Sequence, residues 1–156
     1  MLRITLAPDV LATSINAINV QCFGENDGTA SVVILGGTAP YVEDWNGATP
    51  ATLLAGSYGV IVTDANGCVS SSTTIITEPD LLVVSVSVTD ALCYGSYDGT
   101  ATPTISGGTT PYFEDWGGEN PSALNAGVYT IVVTDEQGCV ATATEIITEP
   151  TDIVIT

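Results

Sequence analysis

The sequence predicts an all-β chain of two tandem modules, each a sandwich or barrel of short strands, and three observations carry that expectation. Val, Ile, Leu and Ala alternate with Thr and Ser at the period of two that a half-buried strand imposes. Sixteen glycines and eight prolines punctuate the alternation, so that turn signals recur about every ten residues and helical periodicity has no room to develop. The third observation is a gapless internal repeat. Cys22 and Cys93 stand 93 − 22 = 71 positions apart, and the same shift carries Cys68 onto Cys139, Trp45 onto Trp116, Tyr58 onto Tyr129 and Glu78-Pro79 onto Glu149-Pro150.

The second copy gives the elements most clearly. Leu82–Thr89 alternates strictly and is expected as the first strand. Gly99–Ser106 is the second, closed by the turn from Gly107-Gly108 to Pro111, and Tyr112–Trp116 the third. A short segment around Ser122–Leu124 precedes the apolar strand Val128–Thr134; a turn over Asp135–Gly138 then leads to the last strand, Cys139–Thr148. Ile4–Asp9 aligns with Ile75–Asp80. The expected divisions are therefore 1–7 as the end of a preceding repeat, 8–78 and 79–150 as two modules, and 151–156 as the first strand of a following one. Leu53, Gly56 and Tyr58, repeated as Leu124, Gly127 and Tyr129, have the layout of a tyrosine corner, in which the phenol hydroxyl bonds upstream backbone. The alternative is an ordinary tyrosine at a strand edge.

Charge excludes whole classes of function. Eighteen acidic residues against one basic residue and no histidine give a formal charge of −17. One cation cannot neutralise phosphates, which rules against nucleic acid and anionic membranes as partners. Without histidine there is no imidazole base and no Ser–His or Cys–His nucleophile. Arg3 is the sole base, so lysine Schiff bases, P-loops and isopeptide cross-links are impossible. No apolar run approaches the ~18 residues of a membrane span, and Met1–Asp9 lacks the apolar stretch of a signal peptide.

Each copy holds two cysteines 68 − 22 = 46 positions apart, with no further Cys or His to complete a zinc site. Small secreted modules with little core are often cross-linked. Cys22 is therefore expected to pair with Cys68, and Cys93 with Cys139, each bridge contributing ~4 kcal/mol by loop closure. The alternative is four free cysteines in a cytosolic protein. The pairing requires an even number of strand reversals between partners, and the short region Thr49–Leu54 leaves that number open.

The acids recur in glycine-bearing loops. Glu25, Asp27, Asp64, Asn66, Glu78, Asp80, Asp98 and Asp135 are candidate ligands for Ca²⁺, which takes six to eight hard oxygens and would relieve self-repulsion. The plainer alternative is a solvated acidic surface whose Asp-Gly and Asn-Gly pairs are good turn formers. No enzyme is expected. Glu43 and Asp44 are adjacent on a strand and point to opposite faces, so they cannot form a pair of glycosidase carboxylates.

Taken together, Cys22-Phe-Gly-Glu-Asn-Asp27-Gly28, Gly36-Gly37-Thr-Ala-Pro40-Tyr41, Trp45-Asn-Gly47, Leu53-Leu-Ala-Gly56-Ser-Tyr58, Asp64-Ala-Asn-Gly67-Cys68 and Thr77-Glu78-Pro79, with the same series from Cys93 to Pro150, resemble the SprB-type repeat of large surface adhesins from gliding Bacteroidota. The resemblance covers nearly the whole chain. It implies two tandem Ig-like β-sandwich modules, secretion by the type IX system, an extracellular, cell-surface location and roles in adhesion and gliding motility. It also implies an aromatic residue between Tyr41 and Trp45, where this sequence has Glu43, and Glu114 in the second copy.

Period two puts Tyr41, Glu43 and Trp45 on one face. Either Glu43 finds a partner, or that face is exposed and Val42 and Phe113 point inward. Two functions follow. One is a spacer or stalk of a repetitive secreted adhesin, possibilities for its partners being neighbouring repeats, surface polysaccharide or other copies in a filament. The other is a carbohydrate-binding module stacking sugars on Tyr41, Trp45, Tyr112 and Trp116.

Overall fold

The computed structural model describes residues 9–154. The end of a preceding repeat expected at residues 1–7 lies outside the described residues; residues 152–154 form no strand, and 155 and 156 lie outside. The chain divides between Glu78 and Pro79 into two compact units. Among the described residues there is no helix, and ten strands form antiparallel ladders.

In the first unit β1 (Ala12–Ile18) pairs with β2 (Thr29–Leu35), and β3 (Val42–Asp44), β4 (Gly56–Thr63) and β5 (Val69–Ile76) form a second sheet in that order. The second unit repeats the plan with β6 (Val83–Thr89) and β7 (Thr100–Ser106), then β8 (Tyr112–Asp115), β9 (Gly127–Asp135) and β10 (Val140–Ile147). This is an all-β, Ig-like arrangement of two sheets, pared down to five strands per unit. The short segment expected near Ser122–Leu124 contributes a single bridge, Gly99 to Leu124, matched by Gly28 to Leu53.

Alternation places the core. Along β4, Val60 and Val62 point inward and are fully buried, joined by Leu11 and Trp45 and by the half-buried Ile15, Val32 and Ile34 of the facing sheet. Toward the other end Val20, Leu53 and Ile76 pack with Tyr58. Each such aliphatic side chain contributes about 1.5–3 kcal/mol by leaving water. Ile131, Val133, Leu124 and Ile147 hold the same places in the second unit.

Two glycine features recur. Gly28 is buried at the bridge, where an added Cβ would lie 2.7 Å from the Leu53 carbonyl and 2.9 Å from Ile76; the close approach, rather than a turn, requires glycine there. Gly36 and Gly37, with φ of 67° and 68°, build the turn between β2 and β3 in a conformation that side chains disfavour. The tyrosine corner is present in both units: Tyr58 donates to the Leu54 carbonyl (3.0 Å) and Tyr129 to that of Asn125 (3.1 Å).

Chain direction gives each unit two ends. The chain enters at the leading end and runs through β1 to the trailing end. It returns through β2, crosses again in β3, returns in β4, and leaves along β5 at the trailing end. Backbone bonds tie each end together. At the trailing end Val20 N–H donates to Thr77 O, and Gly28 and Leu53 exchange bonds; at the leading end Gly37 N–H donates to Asp9 O, and Ala65 N–H to Thr38 O.

This path corrects the expected disulfides. Three strands separate Cys22 from Cys68, an odd number, so Cys22 sits at the trailing end and Cys68 at the leading end. An eight-residue strand such as β4 spans ~25 Å, whereas bridged cysteines need Cα atoms within ~7 Å. Neither Cys22–Cys68 nor Cys93–Cys139 forms. Cys22 and Cys139 are disulfide-bonded, while Cys68 and Cys93 keep exposed free thiols.

Candidate functional site at the two ends of each unit

Period two does not stop at the end of β4. After Val60 and Val62 the next inward position is Asp64, which is only 5 % exposed, and Asp135 follows Ile131 and Val133 in the same way at 2 %. Each carboxylate is held by backbone donors. Asp64 Oδ1 accepts from the N–H groups of Asn66 and Cys68, both at 2.8 Å, and Oδ2 from Thr38 N–H at 3.0 Å. Asp135 accepts from Gln137 and Cys139, both at 2.9 Å, and from Thr109 at 2.7 Å. Burial pushes the Asp64 pKa up, but the N–H groups of Cys68, Thr38 and Asn66 outweigh it and leave the group below its ordinary 3.8. These aspartates therefore clamp the β4–β5 and β9–β10 turns to the turn before the third strand. Asn66 adds a side-chain bond to Thr38 Oγ1 at 2.9 Å.

The trailing ends use different acids for the same purpose. Glu78 Oε2 accepts from Gly24 N–H (2.6 Å) and Asp27 Oδ1 from Gln21 N–H (3.1 Å). In the second unit Glu149 accepts from Gly95 (2.7 Å), Asp98 from Leu92 (3.1 Å) and from the Ser96 hydroxyl, and Asp90 from Thr148 (2.8 Å). The Ser96 hydroxyl, then the Leu92 N–H, lower the Asp98 pKa, and the Thr148 N–H lowers that of Asp90. Asp90 and Glu149 were not among the expected site residues. The aligned Glu78-Pro79 and Glu149-Pro150 pairs were the available signal for Glu149. Asp90 stands where the first copy has Asn19, whose side chain accepts from Thr77 N–H.

The calcium candidates are consequently not gathered. Asp64 and Asn66 occupy the leading end of the first unit, Asp27 and Glu78 its trailing end, and Glu25 and Asp80 are exposed. Asp135 and Asp98 are separated in the same way in the second unit. Among the described residues no three Asp, Glu, Cys or His side chains come together. The carboxylate oxygens of Asp64 and Asp135 already face backbone N–H donors.

The aromatic candidates divide. Trp45 is 9 % exposed and packs in the core; its indole N–H donates to Glu43 Oε2 at 3.1 Å. Trp116 is half-buried and meets Glu114 at 3.4 Å. The glutamates thus find a partner two residues on, along the same face. Val42 and Phe113 point outward, at 66 % and 62 % exposed, which corrects the option that they turn inward. Tyr41 and Tyr112 bond the Gly36 and Gly107 carbonyls at 2.9 and 2.6 Å. Of these four aromatic residues, Trp45 is the one that is buried.

Strand order, the glycine turn, the tyrosine corner and the aspartate clamp thus recur 71 residues apart. The SprB repeat family matches this chain twice. Its model aligns with residues 14–50 and 85–116, the two segments starting 71 residues apart. The SprB matches run from the first strand through the third in each unit, taking in Gly28, Gly36-Gly37, Tyr41 and Trp45 and their counterparts. No curated protein is significantly similar to the chain. No helix among the described residues is long and apolar enough to cross a membrane.

Proposed function

We propose that this chain is a spacer segment of a repetitive, secreted adhesin at a bacterial cell surface, supplying length for adhesion and gliding rather than chemistry. The observation that carries this is the two-fold SprB match on a duplicated unit whose polar groups serve internal ends. The carboxylates cap loops, the tyrosines lock corners, and among the described residues no buried side-chain polar atom lacks a partner. Disulfide-bonded cysteines suit an oxidising compartment outside the cytosol. The charge of −17 with one basic residue suits it too, since trypsin-like proteases find almost no target.

Each unit is entered at its leading end and left at its trailing end, which is the chain path that a length-supplying repeat needs. Small-angle scattering of the whole chain tests this. An elongated particle is expected, with the same maximum dimension in calcium and in chelator. A compact particle, or one that hinges freely, would remove the spacer function.

A further inference from the structure

Four places in the chain set aspartate or asparagine before glycine: Asp27-Gly28, Asn46-Gly47, Asn66-Gly67 and Asp98-Gly99. Glycine has no Cβ to hinder its backbone nitrogen, so at such a pair that nitrogen can attack the side-chain carbonyl carbon of the preceding residue and close a five-membered imide. The attack needs a glycine N–H that is not held elsewhere and a side chain able to swing toward it. The fold leaves one pair in that state.

At three pairs the glycine N–H is engaged. Gly28 donates to Leu53 O at 3.1 Å, Gly67 to Asp64 O at 3.0 Å and Gly99 to Leu124 O at 3.0 Å. Their side chains are held too: Asp27 accepts from Gln21 N–H, Asp98 from Leu92 N–H and the Ser96 hydroxyl, and the Asn66 amide donates to Thr38 Oγ1. Asn46 and Gly47 differ. Both are exposed, and neither the Asn46 side chain nor the Gly47 N–H has a hydrogen-bond partner among the described residues. Asn46 also has a positive φ of 54°, alone among the described non-glycine residues. Left-handed backbone costs any residue that carries a Cβ, so this turn gives up less than a relaxed one when it opens for the attack.

We propose that Asn46-Gly47 is a site of covalent self-modification, at which water converts the asparagine to a mixture of aspartate and isoaspartate. The Gly47 nitrogen loses its proton to base and bonds to Asn46 Cγ; the Cγ–Nδ2 bond breaks, and Nδ2 takes a proton from buffer and departs as ammonia. Water then opens the imide. Cleavage between Cγ and the Gly47 nitrogen leaves aspartate, and cleavage between that nitrogen and the Asn46 main-chain carbonyl leaves isoaspartate. One water is consumed and one ammonia released, nothing is oxidised or reduced, and the turn gains a negative charge. Isoaspartate also adds a methylene to the main chain of a turn, closed by Ala48 N–H to Trp45 O at 3.1 Å, that seats Trp45 and Ala48 against the core. The second unit builds the same turn from Gly117-Gly118, closed by Glu119 N–H to Trp116 O at 3.3 Å, and has no side-chain carbonyl there to react. The modification stands whether or not the chain is a spacer.

The test incubates the whole chain in heavy-oxygen water at mildly alkaline pH, once folded and once in denaturant. Proteolysis in ordinary water and fragmentation mass spectrometry then locate the label. Each imide opening fixes one heavy oxygen in the new carboxyl group, so all four pairs are read together. In the folded chain label should enter at Asn46, as aspartate and isoaspartate, at least about five-fold faster than at Asp27, Asn66 or Asp98, whose glycine hydrogen bonds must open first. In denaturant Asn46 and Asn66 should label at similar rates. Asn46→Gly, which copies the second unit's turn, should take up no label there and leave the other three pairs unchanged. Label entering any of those three as fast as Asn46 in the folded chain, no label at Asn46, or a preference for Asn46 over Asn66 that persists in denaturant would each overturn the proposal.

Discussion

The two units build the seam between their first and last strands from opposite chemistry. In the first, Thr13 of β1 meets Ser70 at 3.0 Å and Ser72 at 2.7 Å, and the Ser72 hydroxyl donates to the Thr13 carbonyl at 2.8 Å. In the second, the aligned residues are Val84, Ala141 and Ala143, packed into the apolar cluster around Ile131 and Val133. The backbone is the same. What the seam demands is small side chains on the last strand so that the first can lie close. Hydroxyls are acceptable when they satisfy one another, and methyl groups when there are no hydroxyls to satisfy.

Several substitutions break or sharpen this comparison, with Trp45 and Trp116 as one fluorescent reporter per unit in denaturant melts. The largest effect is expected outside the seam, where both units agree. Gly28→Ala and Gly99→Ala force a Cβ against backbone oxygen and a core isoleucine and should each cost about 3 kcal/mol; a loss under 1 kcal/mol would show that the bridge can yield. Overfilling the seam comes next. Ser72→Leu and Ala143→Leu should each cost about 2 kcal/mol, equally in both units if size rather than polarity governs the contact.

Acid should follow. The pKa values of Asp64, Asp90 and Asp98 are lowered from 3.8. Their stabilisation is therefore fully present above that value and is lost as pH falls through the depressed values. The melting temperature should drop below about pH 4, and Asp64→Asn, measured at Trp45, should flatten the drop in the first unit. Thr13→Val should cost about 1 kcal/mol by stranding Ser70, whereas the triple change T13V/S70A/S72A, which copies the second unit's seam, should be nearly neutral. The smallest effect is the chelator's. EDTA should leave the melting temperature unchanged, because the carboxylates already accept N–H donors; a large fall would show a metal site formed from residues that the fold holds apart.

Much of this was legible in the chain itself. Alternation and glycine placement located every strand of the second unit to within about two residues, and the spacing from Gly127 to Tyr129 identified the corner. The same alternation could have exposed Asp64. Val60, Val62 and Asp64 share one parity, so the carboxylate had to face the core end and find donors there, yet an acid beside Asn-Gly also fits a metal loop. Sequence does not say which way such oxygens point. The cysteine pairing failed for a similar reason. Spacing gives loop length but not the parity of strand crossings, and β3, only three residues long, supplies the crossing that sends Cys68 to the opposite end. The glutamate at Glu43, where the resemblance implied an aromatic residue, is explained by an indole N–H that only side-chain geometry reveals.

The direction of β1 and β5 has a mechanical consequence. The chain comes in along one and goes out along the other, and the two lie side by side pointing the same way, joined by the Thr13–Ser72 contacts. A pull on the ends of the polypeptide therefore slides these strands lengthwise, so that their contacts must rupture together instead of peeling apart one by one. Resistance to sudden load is then set where the strands are loaded in shear.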